Sequence, residues 1–201
     1  MSLLGRWLSW GSLRVRISLA LVGLTLALGA VALVQATMDL TAILRERLES
    51  RGIAIARDLA ARSATPSQTN DVFGLYQVVN DSLLSNEDVR YIFLVEATGE
   101  VRVHTFPEGV PPELVQANPW DPAQRHSVRR LATNEGPILD IAVPVLGGRA
   151  GVVRVGMSEA GVRKRVVSYI ARLAVLVGVA VVGALALSLL VSSFLTRPLL
   201  R

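Results

Sequence analysis

Two long runs of apolar residues, almost free of polar interruption, frame a middle segment in which apolar and polar positions alternate with regular periods. The first run is Ile17 to Ala36, broken only by Ser18, Thr25 and Gln35, and the second is Leu173 to Thr196. A hydrocarbon layer about 30 Å thick is crossed by about 20 apolar residues in a helix. Both runs reach that length, so residues 17–37 and 172–195 are predicted to be transmembrane helices. All 16 acidic residues lie between Asp39 and Glu159. Outside the spans the charged residues are arginines: Arg6, Arg14 and Arg16 before the first, Arg197 and Arg201 after the second. By the positive-inside rule both termini are cytoplasmic, residues 1–16 among them, and residues 38–171 form a domain on the far side of the membrane. Val34-Gln35-Ala36 also has the look of a cleavage site, but the apolar run before it is longer than the h-region of a signal peptide. Trp7 and Trp10 fit an anchor at the inner interface.

The middle segment begins in helical period. Leu40, Ile43, Leu44, Leu48, Ile55 and Leu59 recur at the spacing of one helix face, with charged residues between them, which predicts a helix from Asp39 to Ser63 continuous with the first span. Gly52 should weaken it by about 1 kcal/mol relative to alanine. Ala64 to Thr69 reads as a break. Asn70 or Asp71 is placed to cap a second helix ending near Leu84, with Val72, Leu75, Tyr76, Val79 and Leu83 as its apolar stripe. The texture then changes to strands. Val89–Ala97 is rich in β-branched and aromatic residues and Glu100–Phe106 alternates, which predicts a hairpin around Thr98-Gly99. A loop with a short helix at Pro112–Gln116 follows, Pro at its start, then an irregular stretch around Pro119 and Pro122. Three further strands are predicted at Arg125–Ala132, Ile138–Val145 and Gly151–Met157, with turns at Asn134-Glu135-Gly136 and Gly147-Gly148. Ser158 is expected to cap a last helix leading into the second span. Five antiparallel strands with helices on one face make an α+β domain.

Composition changes this picture little. The 51% hydrophobic content is raised by the spans, and the net charge of +5 sits at the membrane ends, acids and bases balancing in the middle segment. That distribution excludes a nucleic-acid-binding reading. Cysteine is absent, which excludes disulfides, thiolate metal sites and CxxCH haem attachment. The excess of arginine over the single Lys164 reads as genome composition.

Several stretches carry a resemblance. Arg90-Tyr91-Ile92-Phe93-Leu94-Val95 followed by Thr98-Gly99-Glu100, then His104-Thr105-Phe106, then Asp140-Ile141-Ala142-Val143-Pro144-Val145 followed by Gly151-Val152-Val153-Arg154-Val155-Gly156, are similar to stretches of the single Cache domain. This is the PAS-like extracytoplasmic sensor of bacterial transmembrane receptors. Ala97-Thr98-Gly99 departs from the family's turn in lacking its Asp. Thr196-Arg197-Pro198-Leu199 resembles the opening of a HAMP linker at residues 196–201. The resemblance implies a sensory front end, of a histidine kinase first, with chemoreceptors and cyclase receptors sharing the same plan. It leaves open whether the natural protein continues into an output domain or hands its signal to another subunit.

Two histidines, no cysteine and scattered carboxylates supply neither a nucleophilic triad nor a metal-ligand spacing, so no catalytic residue, metal or cofactor is expected and the segment is not an enzyme. Haem through His104 lacks an evident second axial ligand. The resemblance implies a small pocket between the sheet and its loops, with an unknown small-molecule ligand. The candidate ligand-binding residues are Tyr91, His104, Arg129 and Asp140, polar positions in otherwise apolar strands, where an arginine grips a carboxylate and Tyr or His adds a hydrogen bond. Each has an ordinary alternative: core packing for Tyr91, a structural role for His104, solvation for Arg129, and pairing with Arg154 for Asp140. Trp120 either lids the pocket or caps the core. The helix face at Leu40, Leu44 and Leu48 is expected to pair two copies into a homodimer in the bilayer, because a lone helix would leave its stripe wet. The competing reading is a membrane-anchored structural subunit that contacts a partner protein and takes no small ligand.

Overall fold

The structure, a computed structural model, describes residues 13–121, 124–134 and 136–196. Trp7, Trp10, Pro122, Glu135 and most of the HAMP-like opening therefore lie outside the described residues. The chain divides into two units: residues 1–40 with 165–201, and residues 41–164.

The first unit is built from the apolar portions of two long helices, α1 (Leu13–Arg62) and α5 (Ala160–Thr196). Both are long and apolar enough to cross a bilayer, with mean hydropathies of 1.7 and 2.2 over their spanning stretches, none of which is buried within the protein. Gly29 faces Val177, whose Cγ1 lies 3.2 Å from where a Cβ on Gly29 would stand. A small residue at that point lets the two helices approach closely.

The second unit is an α+β domain. After α1 come α2 (Ala64–Gln68), α3 (Val72–Ser85), β1 (Val89–Val95), β2 (Val101–His104), α4 (Pro112–Ala117), β3 (Ser127–Thr133), β4 (Gly136–Pro144), a 3-10 turn (Val145–Gly148) and β5 (Val152–Ser158), which leads into α5. The strands form one antiparallel sheet in the order β2-β1-β5-β4-β3. Strand period puts Ile92, Leu94, Ile141, Val143, Val153, Val155 and Met157 on one face, where they meet Leu48, Ala56 and Leu59 of α1 and Leu75 and Val79 of α3. Asp71 caps α3 by accepting a 2.9 Å hydrogen bond from the Gly74 N–H.

Four expectations change. The segment at Ala64 is a one-turn helix, because Pro66 falls in the first turn, where its missing N–H leaves no bond unmade. The face of α3 turned to the sheet is Leu75, Val79 and Ser82; Val72 and Tyr76, predicted in the stripe, are 49% and 52% exposed. Helices do not cover one face alone: the β2–β3 connection carrying α4 packs over the other, around Tyr91, Phe93 and Ile138. Gly52 is required rather than merely tolerated, since a Cβ there would meet Ile141 Cδ1 and come within 2.9 Å of Met157 Cγ.

The wet-stripe argument for pairing also changes. Leu48 is buried in the domain's own core and Leu40 and Leu44 are half-buried, while Met38 and Ile43 are exposed on α1.

Glu159, the one residue between β5 and α5, is buried and ties three elements together. Its carboxylate accepts two 2.7 Å hydrogen bonds from the Arg130 guanidinium of β3, and Arg45 Nε of α1 stands 3.5 Å away. Its backbone N–H donates to the Pro137 carbonyl. The forked pairing fixes orientation as well as charge. Glu159→Gln keeps the shape and removes the charge. It is expected to raise amide hydrogen exchange several-fold in the first turn of α5, at Ala160 to Arg163, with the β4–β5 ladder unchanged. Unaltered exchange there would refute the anchoring role.

Candidate functional site

The site lies on the sheet face covered by α4. Register places Tyr91 opposite Gly156, Gly156 opposite Asp140, and Asp140 opposite Arg129, so these four form one row across β1, β5, β4 and β3. Directly opposite residues share a face of a sheet. Gly156 presents no side chain, and the Tyr91 ring lies where its Cβ would be. The ring thus crosses β5, and its hydroxyl donates a 2.6 Å hydrogen bond to Asp140 Oδ2.

Asp140 is 0% exposed and fully bonded. Its Oδ1 accepts 2.7 Å from Arg154 Nε and 2.8 Å from Asn118 Nδ2. Arg154, 3% exposed, lies with its guanidinium carbon 5.1 Å from the Phe93 ring centroid. A carboxylate and a guanidinium so deep in a protein persist only as a pair with their remaining hydrogen-bonding groups satisfied.

Those remaining groups fasten α4 to the sheet. The last four carbonyls of a helix have no partner within it. In six-residue α4 they include those of Leu114, Val115 and Ala117. Arg154 Nη2 and Nη1 donate to Leu114 and Val115, each at 3.1 Å, and Arg129 Nη1 donates to Ala117 at 3.2 Å. Asn118 completes the stitching: its amide also donates to the Asp140 carbonyl, and its Oδ1 accepts from the Ser127 hydroxyl at 2.7 Å.

Beside this floor opens a cleft of about 710 Å³, lined by Tyr91, Phe106, Pro111, Leu114, Leu131 and Ile138 with Arg90, Glu113 and Asn134 among its polar members. The Tyr91 and Phe106 rings are 5.2 Å apart between centroids.

Of the four predicted ligand residues, the structure brings Tyr91 and Asp140 into direct contact. Arg129 is exposed at the end of the same row. His104 stands on β2 opposite Phe93, half-buried, its Nδ1 without a hydrogen-bond partner, and does not line the cleft. Trp120 packs over Gly148 and donates to the Gln124 carbonyl at 3.1 Å, away from the cleft. Arg154, named from sequence only as a partner for Asp140, is the centre of the network. A charged residue inside Val-Val-Arg-Val-Gly-Met was its signal. Asn118, in an irregular stretch, gave none.

Burial first, then the charge of Asp140, push the Tyr91 hydroxyl well above the ordinary tyrosine range, with Arg154 pulling the other way. The folded state therefore keeps a proton that the unfolded state gives up near pH 10. The stability from that proton is whole below about pH 10 and is lost as the pH rises above it. The melting temperature of the full chain is expected to fall more steeply above about pH 10 than that of Tyr91→Phe. Parallel slopes would remove Tyr91 from the account.

The family model described as single cache domain 3 matches residues 39–170. None of the curated proteins matches the chain.

Proposed function

Since this chain belongs to the single Cache domain family, we propose that it is the sensory front end of a bacterial inner-membrane receptor, and of a sensor histidine kinase in particular. A Cache domain is a non-catalytic ligand-sensing module that works outside the cytoplasm, typically in signal-transduction receptors. In the proposed topology the spans are residues 17–37 and 172–195, the sensor is residues 38–171, both termini are cytoplasmic, and Thr196-Arg197-Pro198-Leu199 opens a HAMP linker.

The observation that carries the reading is the cleft beside the Tyr91–Asp140–Arg154 floor. A ligand in that cleft touches β1, β3 and α4 together. β3 holds Glu159 through Arg130, and Glu159 precedes α5. The signal in this proposal is a shift of α5 against α1, limited by the ligand's difference in affinity for the two arrangements. Two copies pair along α1 through Leu40 and Leu44, with Leu48 left to each domain's own core.

A second reading, the membrane-anchored structural subunit, draws on one observation: Arg154 and Asp140 are satisfied within the chain, so the floor needs no ligand to be complete. One set of experiments separates the two. The chain has no cysteine, so Thr98→Cys gives a single reporter. It should react with a membrane-impermeant maleimide in intact spheroplasts, and Ser2→Cys only after lysis. The full chain in nanodiscs is then screened by thermal shift against a small-molecule library. A cytosolic Thr98 defeats the receptor reading, and a library without a single saturable shift favours the structural subunit.

A further inference from the structure

We infer that the cleft selects an uncharged small molecule bearing an apolar ring and discriminates against carboxylates. The inference rests on the sensory reading above and names the ligand class of the same site.

A receptor reads a carboxylate with a cation that has donors to spare. Each nitrogen of Arg154 is already bonded, Nε to Asp140, Nη1 to the Val115 carbonyl and Nη2 to the Leu114 carbonyl, its guanidinium carbon lies over the Phe93 ring, and the buried side chain does not line the cleft. An incoming carboxylate would have to break into this buried network, and one that displaced Asp140 would leave that charge buried without its partner, which is strongly unfavourable. The other guanidiniums nearby also have partners within the chain. Arg130 is forked onto Glu159, Arg129 is bonded to Ala117, and Arg90, which lines the cleft, is engaged within the protein. Glu113 adds an exposed negative charge to the wall, which repels anions.

What the cleft does offer is apolar. The Tyr91 and Phe106 rings form one wall, and Leu114, Leu131 and Ile138 form much of the rest. The hydroxyls of Thr105 and Thr133, also on the wall, are bonded to the backbone at Ile92 and Gly136. A flat apolar molecule gains area and edge-to-face or offset ring contacts there without leaving a charge unpaired. A volume of about 710 Å³ lies in the ordinary range for small-ligand pockets.

The test uses the full chain in nanodiscs, with binding read by saturation-transfer NMR and calorimetry. The probes are phenol and indole, with succinate and citrate as the carboxylates and phenethylamine as a cationic ring. Phenol and indole are expected to bind saturably, with dissociation constants at least about tenfold below those of succinate and citrate. Leu131→Trp fills the cleft from the face of β3 that carries Arg129 and is expected to abolish that binding while the far-UV circular dichroism stays unchanged. Tighter binding of succinate or citrate overturns the inference and leaves the sensory reading standing. So does preference for phenethylamine over both neutral rings, or ring binding that survives Leu131→Trp. Silence from every probe, together with silence from the wider library, overturns both.

Discussion

Arg154→Met is expected to destabilise the outer domain by about 3–5 kcal/mol, the usual penalty for removing one member of a buried ion pair. The loss has two sources. Asp140, with no exposed surface, is left as a buried charge with only the Tyr91 hydroxyl and the Asn118 amide for support. In addition, the carbonyls of Leu114 and Val115 lose the donors that close the end of α4, and unpaired groups there carry their own desolvation penalty. Thermal melting of the full chain in nanodiscs should show a drop on the order of 10 °C for a domain of this size. Adding Asp140→Asn to Arg154→Met removes the stranded charge and should recover part of the loss, so the two substitutions are strongly non-additive. A drop of less than about 1 kcal/mol, or simple additivity, would mean that water or a shifted side chain supports Asp140 and that the network is not the pillar between the sheet and α4.

The features that could be read from sequence are those governed by local period. Apolar runs of bilayer length gave the two long helices. The change at Val89 from helical spacing to runs rich in β-branched and aromatic residues gave the start of the sheet, and the five expected strands are all present. The parts that escaped depend on contacts between elements far apart in the chain. Nothing local in Leu48 says whether it faces a second copy or its own sheet. Nothing in the Asn118–Gln124 stretch says that Asn118 reaches Asp140. Val72 and Tyr76 fit a helical stripe as well as Leu75 and Val79 do, and only the placement of α3 on the sheet decides between them. Of the site, Tyr91 and Asp140 were visible because each is polar in an apolar strand. The same reasoning marked His104 and Arg129, which the fold places outside the buried network. Polarity in a strand signals that a residue needs a partner, and register then decides which partner it finds.

Gly156→Ala is the second large effect expected, and it probes that register directly. Gly156 is the bridge of the row: Tyr91 faces it from β1, Asp140 faces it from β4, and the tyrosine ring crosses the space above it. An added methyl would stand inside the ring, against Cζ and both Cε atoms. The ring has no easy retreat, since Phe93 and Phe106 pack beside it at 5.9 and 5.2 Å between centroids. Overpacking of this kind carries about 1–3 kcal/mol, and a hydrogen bond to a charged group lost in the process adds about 1.5–3 kcal/mol. The variant should melt well below the native chain and lose the steep alkaline fall that Tyr91 confers, because a displaced phenol no longer reaches Asp140. Gly156→Ala combined with Tyr91→Ala should regain stability relative to Gly156→Ala alone, since the clash goes with the ring. If the double variant is instead as unstable as the sum of its parts, Gly156 serves the backbone of β5 and not the passage of Tyr91 across it.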